Sequence, residues 1–180
     1  MKRSLICCAA FTALLMAGYE ADADTTNFAG TWVLDKSKSE NLLRQFENGD
    51  SYTMIVTQDE HQLTVETKLE GGERPEGTGG MRGGRRVRGG AFGYPKTTYK
   101  LDGKETSVET QRGKSTLKAS WKGSALELSS TRNLSFQGNE VTISTTERWE
   151  LAEGGKSLKV DRTINTQRGT QQSTLIFNRK

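Results

Sequence analysis

The chain has 180 residues, of which 27% are charged and 32% hydrophobic, and carries a formal charge of +4. No stretch reaches the roughly 20 apolar residues of a membrane helix, which excludes an α-helical membrane protein. About two thirds of the surface of such a chain is buried on folding, so one domain is expected rather than two.

In chain order, the first feature is MKRSLICCAAFTALLMAGYEADAD: two cations at Lys2 and Arg3, an apolar run from Leu5 to Ala17, then Ala21-Asp22-Ala23. This is the pattern of a secretory signal with a small-x-small cleavage site, so residues 1–23 read as a signal peptide and 24–180 as the mature domain. The expected location is periplasmic or secreted. A lipoprotein anchor on Cys8 is the competing reading, but Leu5-Ile6-Cys7 is a poor run-up to an acylated cysteine. Both cysteines, Cys7 and Cys8, lie in the segment to be removed, so an oxidising compartment finds nothing to cross-link.

Next comes Gly30 to Leu34, a first strand, and then Glu40 to Phe46, a turn or two of helix with Ser37 and Ser39 as caps. From Ser51 onward Thr, Val, Ile and aromatics alternate with polar residues in short runs split by turns, the pattern of antiparallel strands. The runs are Ser51 to Gln58, Gln62 to Leu69, Lys96 to Leu101, Glu105 to Gln111, Ser115 to Trp121, Ala125 to Arg132, Glu140 to Leu151, Ser157 to Asn165 and Gln171 to Arg179. Asp-Gly, Arg-Gly, Lys-Gly and Glu-Gly-Gly connections supply the positive φ of tight hairpins. The expectation is an all-β fold, an antiparallel up-and-down barrel of eight to ten strands, because closure removes the exposed sheet edges.

Residues 70–93 interrupt this pattern with ten of the chain's twenty glycines, a composition that predicts a flexible Gly/Arg-rich loop insertion. The signal segment is charge-neutral, so Arg82, Arg85, Arg86 and Arg88 match the whole +4. These four arginines are the candidates for an anionic partner such as an envelope surface. Two Arg-Gly-Gly units are few, and an exported protein rarely meets RNA, so nucleic acid is not the expected partner.

The mature chain offers no cysteine and one histidine, His61, in the Asp59-Glu60-His61 turn, which leaves no metal site and no histidine-based nucleophile; neither metal nor cofactor is expected. Alternation is more informative. The face of Glu140 to Leu151 that carries Val141, Ile143, Trp149 and Leu151 also carries Thr145 and Glu147. The apolar face of Ser157 to Asn165 carries Arg162, and that of Ala125 to Arg132 carries Ser130 and Arg132. Three successive strands therefore aim charge at the interior. Buried charges must meet one another or a polar ligand, so Arg132, Glu147 and Arg162, with Ser130 and Thr145, form either a structural cluster or the polar end of a cavity for a carboxylate or hydroxyl of a small molecule. A catalytic acid or base at Glu147 is the enzyme alternative; the expected function is non-catalytic, as a small-molecule binder or an envelope component.

Gly30-Thr31-Trp32, followed by Leu34-Asp35-Lys36-Ser37-Lys38-Ser39, resembles the Gly-x-Trp opening of the lipocalin or calycin superfamily. Together with Thr146-Glu147-Arg148-Trp149-Glu150-Leu151, Gly155-Lys156-Ser157-Leu158 and Arg162-Thr163, it is similar to exported bacterial lipocalin-like proteins without an assigned activity. The resemblance implies that Trp32 seals the barrel base under a cation, Arg179 or Arg162, beside Gly30, and that Ser37 to Asp50 forms a lid. The Gly/Arg insertion and the polar interior depart from that pattern and point away from a greasy ligand.

Overall fold

The computed structural model describes residues 26–70, 96–110, 113–136 and 139–180. The proposed signal peptide and the segment carrying Arg82, Arg85, Arg86 and Arg88 lie outside these residues. Ten antiparallel strands form one sheet: β1 (Gly30–Leu34), β2 (Ser51–Gln58), β3 (Gln62–Glu70), β4 (Lys96–Lys100), β5 (Thr106–Thr110), β6 (Gly113–Lys122), β7 (Ala125–Phe136), β8 (Asn139–Ala152), β9 (Ser157–Thr166) and β10 (Gly169–Arg179). Sequential strands pair as an up-and-down meander, and β1 closes on β10 through Trp32 opposite Arg179 and Leu34 opposite Phe177. The all-β barrel expected from the alternation is therefore present.

Its closure is incomplete. The sheet order begins at β4 and ends at β5, consecutive strands that do not pair with each other. The expected abolition of edges stops at this slot, because each of the two short strands keeps only its hairpin partner, β4 on β3 and β5 on β6. Beside the slot, Cα atoms of β4 approach those of β6 within 8 Å.

The helix also differs from expectation. Residues Arg44–Asn48 form α1, four residues later than Glu40, and neither Ser37 nor Ser39 caps it. Ser37 bonds the Asp35 carboxylate through both its N–H and its hydroxyl. Ser39 donates to the Asp35 carbonyl at 2.7 Å and accepts the Ile176 N–H at 2.9 Å, while Glu40 bridges to Thr174. These residues extend the seam between β1 and β10, so their hydroxyls are taken before a helix starts. The Lys36 ammonium instead holds the other end of α1, donating to the carbonyls of Glu47 and Gly49. The space at Gly49 is tight: a Cβ would sit 2.8 Å from Leu69 Cδ1 and 3.0 Å from the Gln45 carbonyl, so the Leu69 tip would have to move aside.

The base of the barrel is aromatic and buried. Trp32 is 0% exposed and donates its indole N–H to the Phe28 carbonyl at 2.9 Å. Phe28 stacks on Trp121 at 6.1 Å and meets Trp149 edge-on at 5.8 Å. Outside this plug, the Arg179 guanidinium lies 4.3 Å from the Trp32 ring and donates to the carbonyls of Ala29 and Gly155 at 2.9 and 2.8 Å. Of the two cations proposed to cover Trp32, Arg179 does so and Arg162 does not. Gly30 makes this possible with a φ of +148°, and a Cβ there would stand 3.0 Å from Arg179 Nη1. Among the described residues no helix is long and apolar enough to cross a membrane.

Candidate functional site

Above the aromatic base the same inward faces change chemistry. On β8, Trp149 points into the base, while Glu147 and Thr145, two and four residues earlier, point into a cavity of about 90 Å³. All five residues singled out by alternation, Ser130, Arg132, Thr145, Glu147 and Arg162, line it. Register explains how they meet. Glu147 stands opposite Arg162 on β9 and Leu128 on β7, and Thr145 stands opposite Ser130 and Ile164.

Glu147 and Arg162 form the centre. Arg162 Nε donates to Glu147 Oε1 at 2.7 Å, with the two side chains 10% and 17% exposed. The second carboxylate oxygen accepts the Trp149 indole N–H at 2.8 Å, which fixes the carboxylate plane between base and cavity. Burial opposes the Arg162 charge, yet Glu147, aided by Tyr52, more than offsets it and holds the guanidinium pKa above its ordinary value. Arg132 lies further along, paired with Ser115 and Ile143 rather than with the Glu147 row. The three charges expected to sit opposite one another thus resolve into a direct pair and a second arginine on the same cavity wall.

Alternation also runs through residues that sequence reasoning passed over. Tyr52 on β2 is buried, and its hydroxyl is hydrogen-bonded to Arg162 and Thr67. Tyr99 on β4 is hydrogen-bonded to Ser130. Burial raises the pKa of both phenols, with the nearby Glu147 charge adding to the rise at Tyr99, so both stay protonated donors at neutral pH. The signal was available: Tyr52-x-Met54-x-Val56 and Thr97-x-Tyr99 are inward positions of their strands.

Phe46 of α1 covers the cavity. It is 3% exposed, packs on Tyr52 at 4.6 Å between ring centroids, and lies 5.8 Å from the Arg162 guanidinium. The Ser37 to Asp50 segment therefore does include a cover over the interior, carried by one aromatic side chain. His61 is exposed at the far hairpin, its N–H bound to the Asp59 carboxylate at 2.8 Å.

No family model and no curated protein matches this chain. Solved structures with a similar barrel include the zebrafish ileal bile acid-binding protein complexed with cholic acid, 15% identical, covering 85% of this chain and 98% of that one with a TM-score of 0.47. A secretory abundant heat soluble protein from Ramazzottius varieornatus is 10% identical over 84% of this chain and 94% of that one, with a TM-score of 0.49. Secretory abundant heat soluble protein 4 from the same organism is 13% identical over 86% and 97%, with a TM-score of 0.45.

Proposed function

We propose that this chain is an exported, non-catalytic barrel that binds a small anionic or hydroxylated molecule in the polar half of its interior. The observation that carries this reading is the polar make-up of the cavity wall: Arg132, Glu147 and Arg162 line one space on the inner face of the barrel. Guanidinium groups at such a wall suit a carboxylate or hydroxyl of a ligand. The hydroxyls of Tyr52, Tyr99, Ser130 and Thr145 add hydrogen-bonding groups around it. A volume of about 90 Å³ has room for several waters. Pockets for drug-sized ligands run to roughly 300–1,000 Å³, so the space suits a very small molecule or the polar head of a larger one. Glu147 is engaged as an acceptor at both oxygens, the state of an orienting group rather than of a proton carrier. The signal-like opening of the sequence supports export.

Native mass spectrometry of the protein isolated from its own compartment tests the reading. The expected result is a retained small acid or polyol that is lost in Arg132→Ala while the circular dichroism spectrum is kept. A retained apolar molecule indifferent to Arg132→Ala contradicts it. Amino-terminal sequencing of that protein, with Asp24 first, checks the export half.

A further inference from the structure

The slot between β4 and β5 has two flanks that match. Lys96, Thr98 and Lys100 of β4 are exposed on the outer face, while Thr97 and Tyr99 turn inward and line the cavity. On β5, Thr106 and Val108 pair with the buried Leu117 and Ser115 of β6 and so share the inner face, leaving Ser107 and Glu109 outside. Pairing Thr98 with Ser107 sets Lys100 against Glu105 and Lys96 against Glu109, outer face to outer face. The same register sets Tyr99 against Thr106 and Thr97 against Val108, inner face to inner face. It needs only the four residues Leu101 to Lys104 as a connection, an ordinary hairpin length that contains Asp102-Gly103 with Gly103 already at a φ of +73°.

Two further features point to the same register. The Leu101 N–H is bonded to the His61 carbonyl at 2.8 Å, which assigns odd-numbered residues of this strand to β3 and leaves the N–H and C=O groups of Lys96, Thr98 and Lys100 directed at the slot. Val108, 37% exposed, is the large hydrophobic residue left uncovered among those described, and it stands at the slot on the inner face.

We propose that β4 and β5 are a zipper: the barrel exchanges between the slotted form and one in which these strands pair in this register, joined by Lys100–Glu105 and Lys96–Glu109, and the slot is the lateral portal of the cavity. The portal half rests on the binding function proposed above; the pairing half does not. Closure covers Val108, satisfies the edge groups of both strands and leaves Tyr99 and Thr97 facing the cavity.

Paired cysteines test it in the full chain with Cys7→Ser and Cys8→Ser. In a glutathione buffer, Thr98→Cys with Ser107→Cys is expected to form an intrachain disulfide at least tenfold more readily than Thr98→Cys with Thr116→Cys, one strand further on. Lys96→Glu with Lys100→Glu is expected to reduce that preference, and adding Glu105→Lys with Glu109→Lys to restore it. Equal oxidation of the two cysteine pairs, or a disulfide formed between two chains, overturns the zipper. For the portal, the exchange rate of acetate, a small anionic probe followed by NMR exchange broadening, is expected to fall at least tenfold on oxidation and recover on reduction, and an unchanged rate overturns it. Absence of probe uptake in the reduced protein counts against the binding function and the portal that depends on it, while the disulfide ratio still decides the pairing.

Discussion

The two halves of the barrel interior obey one backbone rule and opposite chemistries. In the base, Phe28, Trp32, Trp121 and Trp149 interlock and Arg179 caps them from outside; in the upper half, Arg162 bonds Glu147 and Tyr52 while Tyr99 bonds Ser130, around open space. The change happens within two residues of β8, about 7 Å of strand. Trp149 belongs to both halves, its ring against Phe28 and its N–H on Glu147. Position along a strand, and not merely the face it presents, thus separates what holds this fold from what is available to a ligand.

Matched substitutions break that comparison most sharply. Trp32→Ala removes a fully buried ring and is expected to cost about 3 to 5 kcal/mol in denaturant unfolding, with no second-site apolar replacement restoring it. Glu147→Leu is expected to cost a similar 3 to 5 kcal/mol, because the Arg162 guanidinium is left buried without its partner. Here, however, Glu147→Leu with Arg162→Leu recovers much of the loss, and the non-additivity measures the pair. Small, additive losses at 147 and 162 would place both side chains in solvent and shift the register by one.

Gly30→Ala sharpens the base side with a smaller effect. A β-carbon at this φ meets the Arg179 guanidinium, so a loss of about 1 to 3 kcal/mol is expected together with a red-shifted, more iodide-accessible Trp32 emission. A stability loss without a fluorescence change would separate backbone strain from the stacking contact.

The smallest effect concerns acid. Hydrogen bonds from Ser37 and Asn178 hold the Asp35 carboxyl below the ordinary aspartate value of 3.8. At Asp161, burial pushes upward but Lys159 and Thr174 prevail, and the pKa is also lowered from 3.8. A depressed folded-state pKa means that the unfolded chain binds more protons at low pH. The stabilisation from both groups is therefore complete above the unfolded value and is lost as pH falls through the lowered folded values. Unfolding midpoints are expected to be flat from about pH 5 to 8 and to decline below about 3.8; a decline beginning near neutrality would implicate other groups.

Much of this architecture was legible in the sequence, for reasons visible at single residues. Strands such as Gly30–Leu34 and Ser51–Gln58 match the alternation residue for residue, because an inner face packed on a core enforces period two. Arg162 and Glu147 were found as inward charges by the same rule. The helix was set too early because Ser39 is an equally good cap and edge ligand, and only the distant Ile176 N–H decides between the two. Tyr52 was passed over because tyrosine is at once a strand former and a hydrogen-bonding group, so its place in the pattern does not reveal which role is used. The slot was hidden for another reason: each of β4 and β5 reads as a proper strand, and whether neighbours in sequence are neighbours in the sheet depends on the whole ring.

The pairing of β1 with β10 has a consequence for how the chain is made. Trp32 is synthesised early, yet the strand that shelters one side of it, together with the Arg179 that covers it, emerges from the ribosome only after the other nine strands. Until then an aromatic edge is left uncovered, and the ring cannot form from local contacts alone. Folding of this barrel is therefore expected to be a post-translational event with a slow, high-contact-order closing step, during which the nascent first strand is the segment most in need of a chaperone.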